Sequence, residues 1–558
     1  DYEGENIDLE TIDGSIGILS HNGMNLSSHG INIYENTKDS IGVVPLRGTS
    51  VSTVPTLELG KGSIELLGGE NNIGILAMNF YNGAALTHKG GNVLTKGSVV
   101  LSKGNKNVGI IAKEGYKVSV KELKTIGEAA ANAIGIYGDG NGTSIVVEEG
   151  VKNLKLKVDS PTNTNTVNAV AAYSSNGAKI TMNKLSLNNS LDIEVTGAKV
   201  SGEEKSYRGI GLMASDGTIE AQKTNIKVSN GATGIVSLGI DGFIDLKGGQ
   251  LEVDNGYAVY SDGNGKVDIR NAKIILNGNT IAFDLDPNVL SPIIFDETTN
   301  IHIKSNDVVV FNVKNLTFSN ISELKSTILS GANINITSEI GVTKYLEAVL
   351  EGTTLNFDIA LNKSSVDNTN AGFYYFNRIL AQNSILNVNN TINAQLASTS
   401  TENALGADNY KEQVIGLEMN ATKKAISNAS TQINISSTGA IKAERTDSAG
   451  SGAIGAFINY GILTNEIGGK IEVQKTYSCA GGIGIYSVNG SKVVNSGTVE
   501  VGGNNAIGIL GMAYREDSTG TPVINEFGTL AIGQGKVNIS NSGSVTLKGT
   551  GTIGIYAW

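Results

Sequence analysis

The sequence predicts an all-β chain, a right-handed parallel β-helix (solenoid) with loop insertions. Three observations lead there: a recurring apolar-Gly-apolar unit, a side-chain period of two between turns, and a composition rich in Gly but poor in Pro and charge. Gly numbers 71 against only 6 Pro among 558 residues, which fits neither collagen nor the usual disordered chain. Hydrophobic residues make up 40% and charged residues 17%, enough for a long core with polar Asn, Ser and Thr turns.

The repeat runs Ile16-Gly17-Ile18-Leu19, Ile73-Gly74-Ile75-Leu76, Val108-Gly109-Ile110, Ile134-Gly135-Ile136-Tyr137 and Ile210-Gly211-Leu212. It returns as Ile415-Gly416-Leu417, Ile454-Gly455-Ala456-Phe457, Ile483-Gly484-Ile485-Tyr486, Ile507-Gly508-Ile509-Leu510 and Ile553-Gly554-Ile555-Tyr556. Thr233-Gly234-Ile235 is a further return, and degenerate copies stand at Ile41-Gly42-Val43, Tyr257-Ala258-Val259-Tyr260 and Ile281-Ala282-Phe283. Gly234 to Ala258 and Ala258 to Ala282 are 24 residues each, as is Gly484 to Gly508. One such unit holds three short strands: Ile483 to Tyr486, Lys492 to Asn495, and Val499 to Val501, with Asn489-Gly490 and Ser496-Gly497 turning between them. Three strands and three turns in about 24 residues is one coil of a β-helix.

Alternation assigns the faces. It points Ile64/Leu66, Leu251/Val253, Val267/Ile269, Ile471/Val473, Val499/Val501 and Val545/Leu547 inward, with Glu65, Glu252, Asp268, Glu472, Glu500 and Thr546 outward between them. Within the motif the same rule puts Ile134 and Ile136 inside and Gly135 outside, so that stacked glycines would form a smooth outer stripe. The whole chain, 1–558, reads as one solenoid: regular coils over 1–283 and 414–558, and less regular ones over 284–413. That middle stretch lacks the Gly motif but keeps alternation in Ile301-His302-Ile303, Leu355-Asn356-Phe357 and Ile385-Leu386-Asn387-Val388. Its asparagines at 387, 389, 390 and 393 suit turns or asparagine ladders.

Several function classes lose support at this level. The net charge of −11 argues against nucleic acid, since nothing would neutralise a run of phosphates. The single Cys479 leaves no intramolecular disulfide and no Cys-based zinc site. The four histidines, at 21, 29, 88 and 302, have no metal-ligand spacing. Asp-Gly pairs at Asp13, Asp139, Asp216, Asp241 and Asp262 fall where turns are due, and Asp-Gly is first a turn dipeptide. No run of 18 apolar residues occurs, so no helical membrane span is expected. No cofactor and no catalytic residues are expected.

Gly482-Ile483-Gly484-Ile485-Tyr486, the Asn-Ala-Ile-Gly-Ile strings at Asn132 to Ile136 and Asn505 to Ile509, and Asn-Ser-Gly-Thr/Ser at Asn495 to Thr498 and Asn541 to Ser544 carry a family resemblance. The chain resembles passenger domains of the large type Va autotransporter adhesins of fusobacteria. The resemblance implies an extracellular rod on the bacterial surface, tied to the outer membrane through a C-terminal β-barrel that these residues do not contain. It implies attachment to a host-cell protein receptor or glycan, or to other bacteria. A passive spacer, with the binding tip elsewhere in a longer protein, is the alternative, and a β-helical polysaccharide-degrading enzyme the third reading.

Loops on a rigid scaffold are where specificity is expected. Four insertions precede motif strands: Asp159 to Asn168, Gly197 to Arg208, Ser398 to Gln413 and Ala443 to Gly452. Others follow motif strands, at Gly48 to Thr56, Asp286 to Thr299 and Arg515 to Pro522. Tyr207, Arg208, Tyr410, Lys411, Arg445, Tyr514 and Arg515 are the candidate partner-binding residues, because aromatic and cationic side chains dominate binding hot spots.

Overall fold

The fold is described from a computed structural model, over residues 6–10, 13–26, 30–46, 54–79, 90–159, 169–183, 190–198, 209–262, 264–285, 293–305, 308–313, 322, 335–338, 344–351, 354–358, 361–363, 378–382, 384–396, 415–420, 432–445, 452–474, 481–513 and 537–558. The elements bounded within these residues are all strands, and they pair in parallel, coil upon coil, as a β-helical solenoid. By its internal contacts the chain divides into two units, 1–308 with 332–340, and 309–331 with 341–558. The division falls inside the stretch where the Gly motif is missing.

In the first unit each coil has three walls. The motif wall stacks Ile16–His21, Ile41–Leu46, Ile73–Ala77, Val108–Lys113, Ile134–Asp139, Ala169–Ser175, Gly209–Ser215, Thr233–Leu238, Tyr257–Ser261 and Thr280–Leu285 in that order. A second wall runs from Met24–Leu26 to Ile293–Ile294, so the expected loop over 286–299 contains a strand, locked by Val267 opposite Ile293. A third wall begins with Ile7–Leu9 and passes, by way of Ala130–Ala131, to strands ending at Asn335–Ser338. The second unit repeats the plan. Its motif wall is Ile415–Asn420, Ile454–Asn459, Ile483–Val488, Ile507–Met512 and Ile553–Ala557; its other walls run from Thr354–Phe357 to Asn538–Asn541 and from Leu361–Lys363 to Ser544–Lys548. In the stretch 284–413, Asn300–Ile303 pairs in parallel with strands on both sides, and so does Ile385–Val388.

Away from the motif the alternation holds. Ile64, Leu66, Leu251, Val253, Val267, Ile269, Ile471, Val499 and Val501 are buried, and Glu65, Glu252, Glu472 and Glu500 are only partly covered. Each fully buried Val, Leu or Ile contributes roughly 1.5–3 kcal/mol, and no coil can bury its own face without the next. Asparagine ladders link equivalent strands of successive coils. Asn387 Nδ2 donates to Asn356 Oδ1 at 2.8 Å and Asn434 Nδ2 to Asn387 Oδ1 at 3.0 Å, as expected for the irregular stretch. Asn465 and Asn495 continue the device in buried form, with Asn465 Nδ2 donating to Asn495 Oδ1 at 2.7 Å.

Within the motif the simple alternation fails, and the reason is a corner. The residue two places before the motif strand takes a left-handed backbone: Asp39, Asn71, Lys106, Asn132, Asn255 and Asn505 all have φ between 48° and 61°. Asn and Asp tolerate that region better than other residues with a Cβ, which accounts for the recurring Asn. The next residue, Ala133 or Ala506, points into the core and is fully buried. Ile134 then points outward, while Gly135 and Ile136 both point inward. The coil-to-coil register accordingly matches Val108 with Ile134 and Ile110 with Ile136 but omits the glycines between them. The glycines therefore form no outer stripe. A Cβ on Gly74 would lie 2.5 Å from the carbonyl oxygen of Gly109 in the next coil, and 3.1 Å from the core Leu66 Cδ1. Gly109 and Gly211 face the same obstacle, at 2.6 Å and 2.5 Å from the carbonyls of Gly135 and Gly234. Only a hydrogen or a small side chain fits there, because two backbones meet; Ala171, Ala258 and Ala282 hold the equivalent place in other coils.

Candidate functional site

Of the seven candidate residues, Tyr207, Arg208, Tyr410, Lys411, Tyr514 and Arg515 lie outside the described residues. Arg445 does not sit in a loop: it closes the strand Ala440–Arg445, opposite Leu396 of the preceding coil. The insertion expected over 443–452 thus starts later than its sequence suggests, because Ala443 is a buried ladder residue and the strand continues two residues beyond it.

The described flanks define how the four insertions attach. In the first unit the strands leading into 159–168 and 197–208, Leu154–Lys157 and Ile193–Thr196, pair with each other along their full length. The strands that follow, Ala169–Ser175 and Gly209–Ser215, pair as well. Both connections therefore leave the third wall and enter the motif wall at one corner of adjacent coils. In the second unit Thr391–Leu396 and Ala440–Arg445 pair before the connections, and Ile415–Asn420 and Ile454–Asn459 after them.

The outer face of the motif wall next to this corner was missed by alternation alone. Two apolar rows run along it, one from the residue before the glycine and one from the third residue after that. In the first unit Val170, Ile210 and Val236 cluster with Tyr173, Met213, Leu238 and Tyr260. In the second, Ile415, Ile454, Phe457, Tyr486, Val488 and Leu510 cluster with Ile483, Ile507 and Met512. Rings stack in register along the row: Tyr137 and Tyr173 at 5.1 Å, with Lys113 Nζ 5.0 Å from the Tyr137 centroid, and Phe457 edge-on to Tyr486 at 5.3 Å. The pre-glycine residue is buried in all four coils that follow the predicted insertions (Val170, Ile210, Ile415 and Ile454), while Ile73, Val108, Ile134, Tyr257, Ile483 and Ile507 stay partly exposed. The sequence did hold a signal, since an apolar residue at both the third and fourth motif positions cannot fit a strict period of two. Thr233 interrupts the first row, fully buried with its Oγ1 unbonded. Thr233→Val should therefore stabilise the first unit by about 1 kcal/mol, read as a raised midpoint in urea titration; an unchanged or lowered midpoint would show that the hydroxyl is satisfied.

Charged side chains also gather on adjacent coils of the second wall, the arrangement a polysaccharide-cleaving β-helix would need. Asp245 accepts from Gln222 Nε2 at 2.7 Å and lies 3.4 Å from Lys247 Nζ. Asp268 accepts from Arg270 through Nη2 at 2.7 Å and Nε at 3.0 Å, and from Lys247 at 3.0 Å. Alternation places Asp268 on the outer side, yet it is buried beneath these cations. Burial would raise its carboxyl, but the hydrogen bonds from Arg270 and Lys247 outweigh that and hold it below the usual carboxylate range. A general acid needs the opposite shift. The arrangement neutralises charge across the wall.

Glu122 on the third wall behaves similarly. Its burial alone would raise the carboxyl, but hydrogen bonds from Lys124, Lys152 and Ser98, at 2.5, 2.8 and 2.8 Å, lower it from 4.5 to about 2. A depressed carboxyl stabilises the fold fully above its ordinary pKa and loses that contribution as pH falls toward the folded value. Glu122→Gln should thus cost about 1–3 kcal/mol at pH 7, and the gap to the parent should close between pH 4.5 and about pH 2. A gap independent of pH would overturn this account.

A polar cleft of about 430 Å³ in the first unit is lined by Glu35, Glu70, Lys103, Asn105, Glu128 and Asp159, among others. Several of its acids are paired: Glu35 with Lys103, Glu70 with Lys106 and Lys38 at 3.3 and 3.8 Å, and Asp159 with Lys157 at 3.8 Å. Among the described residues no group of three or more His, Cys, Asp or Glu is suited to hold a metal ion, and no helix is long and apolar enough to cross a membrane. Fold and site define the class: a parallel β-helical solenoid with insertions entering at a repeated corner. No protein-family model matches the chain, and neither a curated protein nor a solved structure matches it.

Proposed function

We propose that this chain is a segment of a surface-displayed bacterial autotransporter passenger, extracellular and held to the outer membrane through a β-barrel. It attaches to a host-cell protein receptor or glycan, or to other bacteria, through the connections that enter the motif wall. The observation that supports the reading is the register: in each unit two long connections begin and end on paired strands of adjacent coils. Repetition at one corner brings several connections within reach of one partner, and a stiff scaffold lowers the cost of ordering them. Tyr207, Arg208, Tyr410, Lys411 and Arg445 are the proposed contacts in or beside these connections, with Tyr514 and Arg515 on one that leaves the motif wall, in keeping with the aromatic and Arg bias of hot spots.

The second reading, a spacer whose binding tip lies elsewhere, is favoured by the low aromatic content of 5% and the internally paired charges of the walls. Adhesion assays on host cells and on bacteria, with the chain intact or with 199–208 or 398–413 replaced by a short turn, separate the two. Both trimmed chains should stay folded by far-UV circular dichroism, since the ladder residues Ile193, Val195, Leu212, Ile392 and Leu417 lie outside the cuts. Under the adhesin reading attachment weakens several-fold in the trimmed chains. Equal attachment by folded, trimmed chains would end the connection-based reading, and no attachment by the intact chain would favour the spacer.

A further inference from the structure

We draw no further inference here: the strongest candidate, the apolar outer face of the motif wall around Tyr137, Tyr173, Met213 and Tyr260 in the first unit, carries nothing because nothing in the structure shows what covers it.

Discussion

Replacing Gly484 by valine is expected to destabilise the second unit by about 3 kcal/mol or more, measured as a lowered midpoint in urea titration followed by circular dichroism. The added Cβ would sit 2.5 Å from the Gly508 carbonyl oxygen of the next coil and collide with the Val499 side chain. A side chain can rotate away; the carbonyl cannot, because its neighbours are hydrogen-bonded in the ladder that pairs Ile483 with Ile507 and Ile485 with Ile509. Separating the coils at that point would stretch the same ladder. Gly484→Ala should fall well short of valine, since the chain itself carries Ala171, Ala258 and Ala282 at the equivalent place, all fully buried. No loss from either substitution would show that the glycine does not face the neighbouring backbone.

Ile485→Ala should cost about 2–5 kcal/mol in the same unit, while Glu500→Ala should change it by less than about 0.5 kcal/mol. Ile485 is fully buried and stacks in register between Ala456 and Ile509, so truncation leaves a cavity within a continuous ladder. Glu500 stands on the outer side of its strand and pairs with Lys548 near solvent, where an ion pair adds little. The contrast tests which side of each strand faces the core. Comparable losses from the two variants would mean that the assignment of faces is wrong.

Much of the architecture was legible because its causes are local and repeated. Val499-Glu500-Val501 shows its two faces in three residues, and the 24-residue return of the motif announces a coil stacked on a coil. Asn387, read as suited to a turn or a ladder, stands in a ladder between Asn356 and Asn434. The candidate site was less legible. Arg445 looked like part of an insertion because Glu-Arg-Thr-Asp-Ser lacks alternating apolar residues; pairing with Leu396 makes it the end of a strand, and pairing partners lie 49 residues apart. Asp245 and Asp268, 23 residues apart, show no relation in the sequence until register sets them side by side with Lys247 between them.

The sequence by itself determined the class of fold, the length of a coil and the inward ladder on the flat walls. Those follow from strand period and turn chemistry, which a few neighbouring residues decide. Only the tertiary structure decided which way the motif faces. A left-handed Asn at the corner rotates the chain, sending Ile134 out and both Gly135 and Ile136 in, so a residue read as an outer stripe lies beneath the next coil's carbonyl. The stacking of Tyr137 on Tyr173 was settled at the same level. Both depend on contacts between coils, which exist only once one turn of the solenoid rests on another.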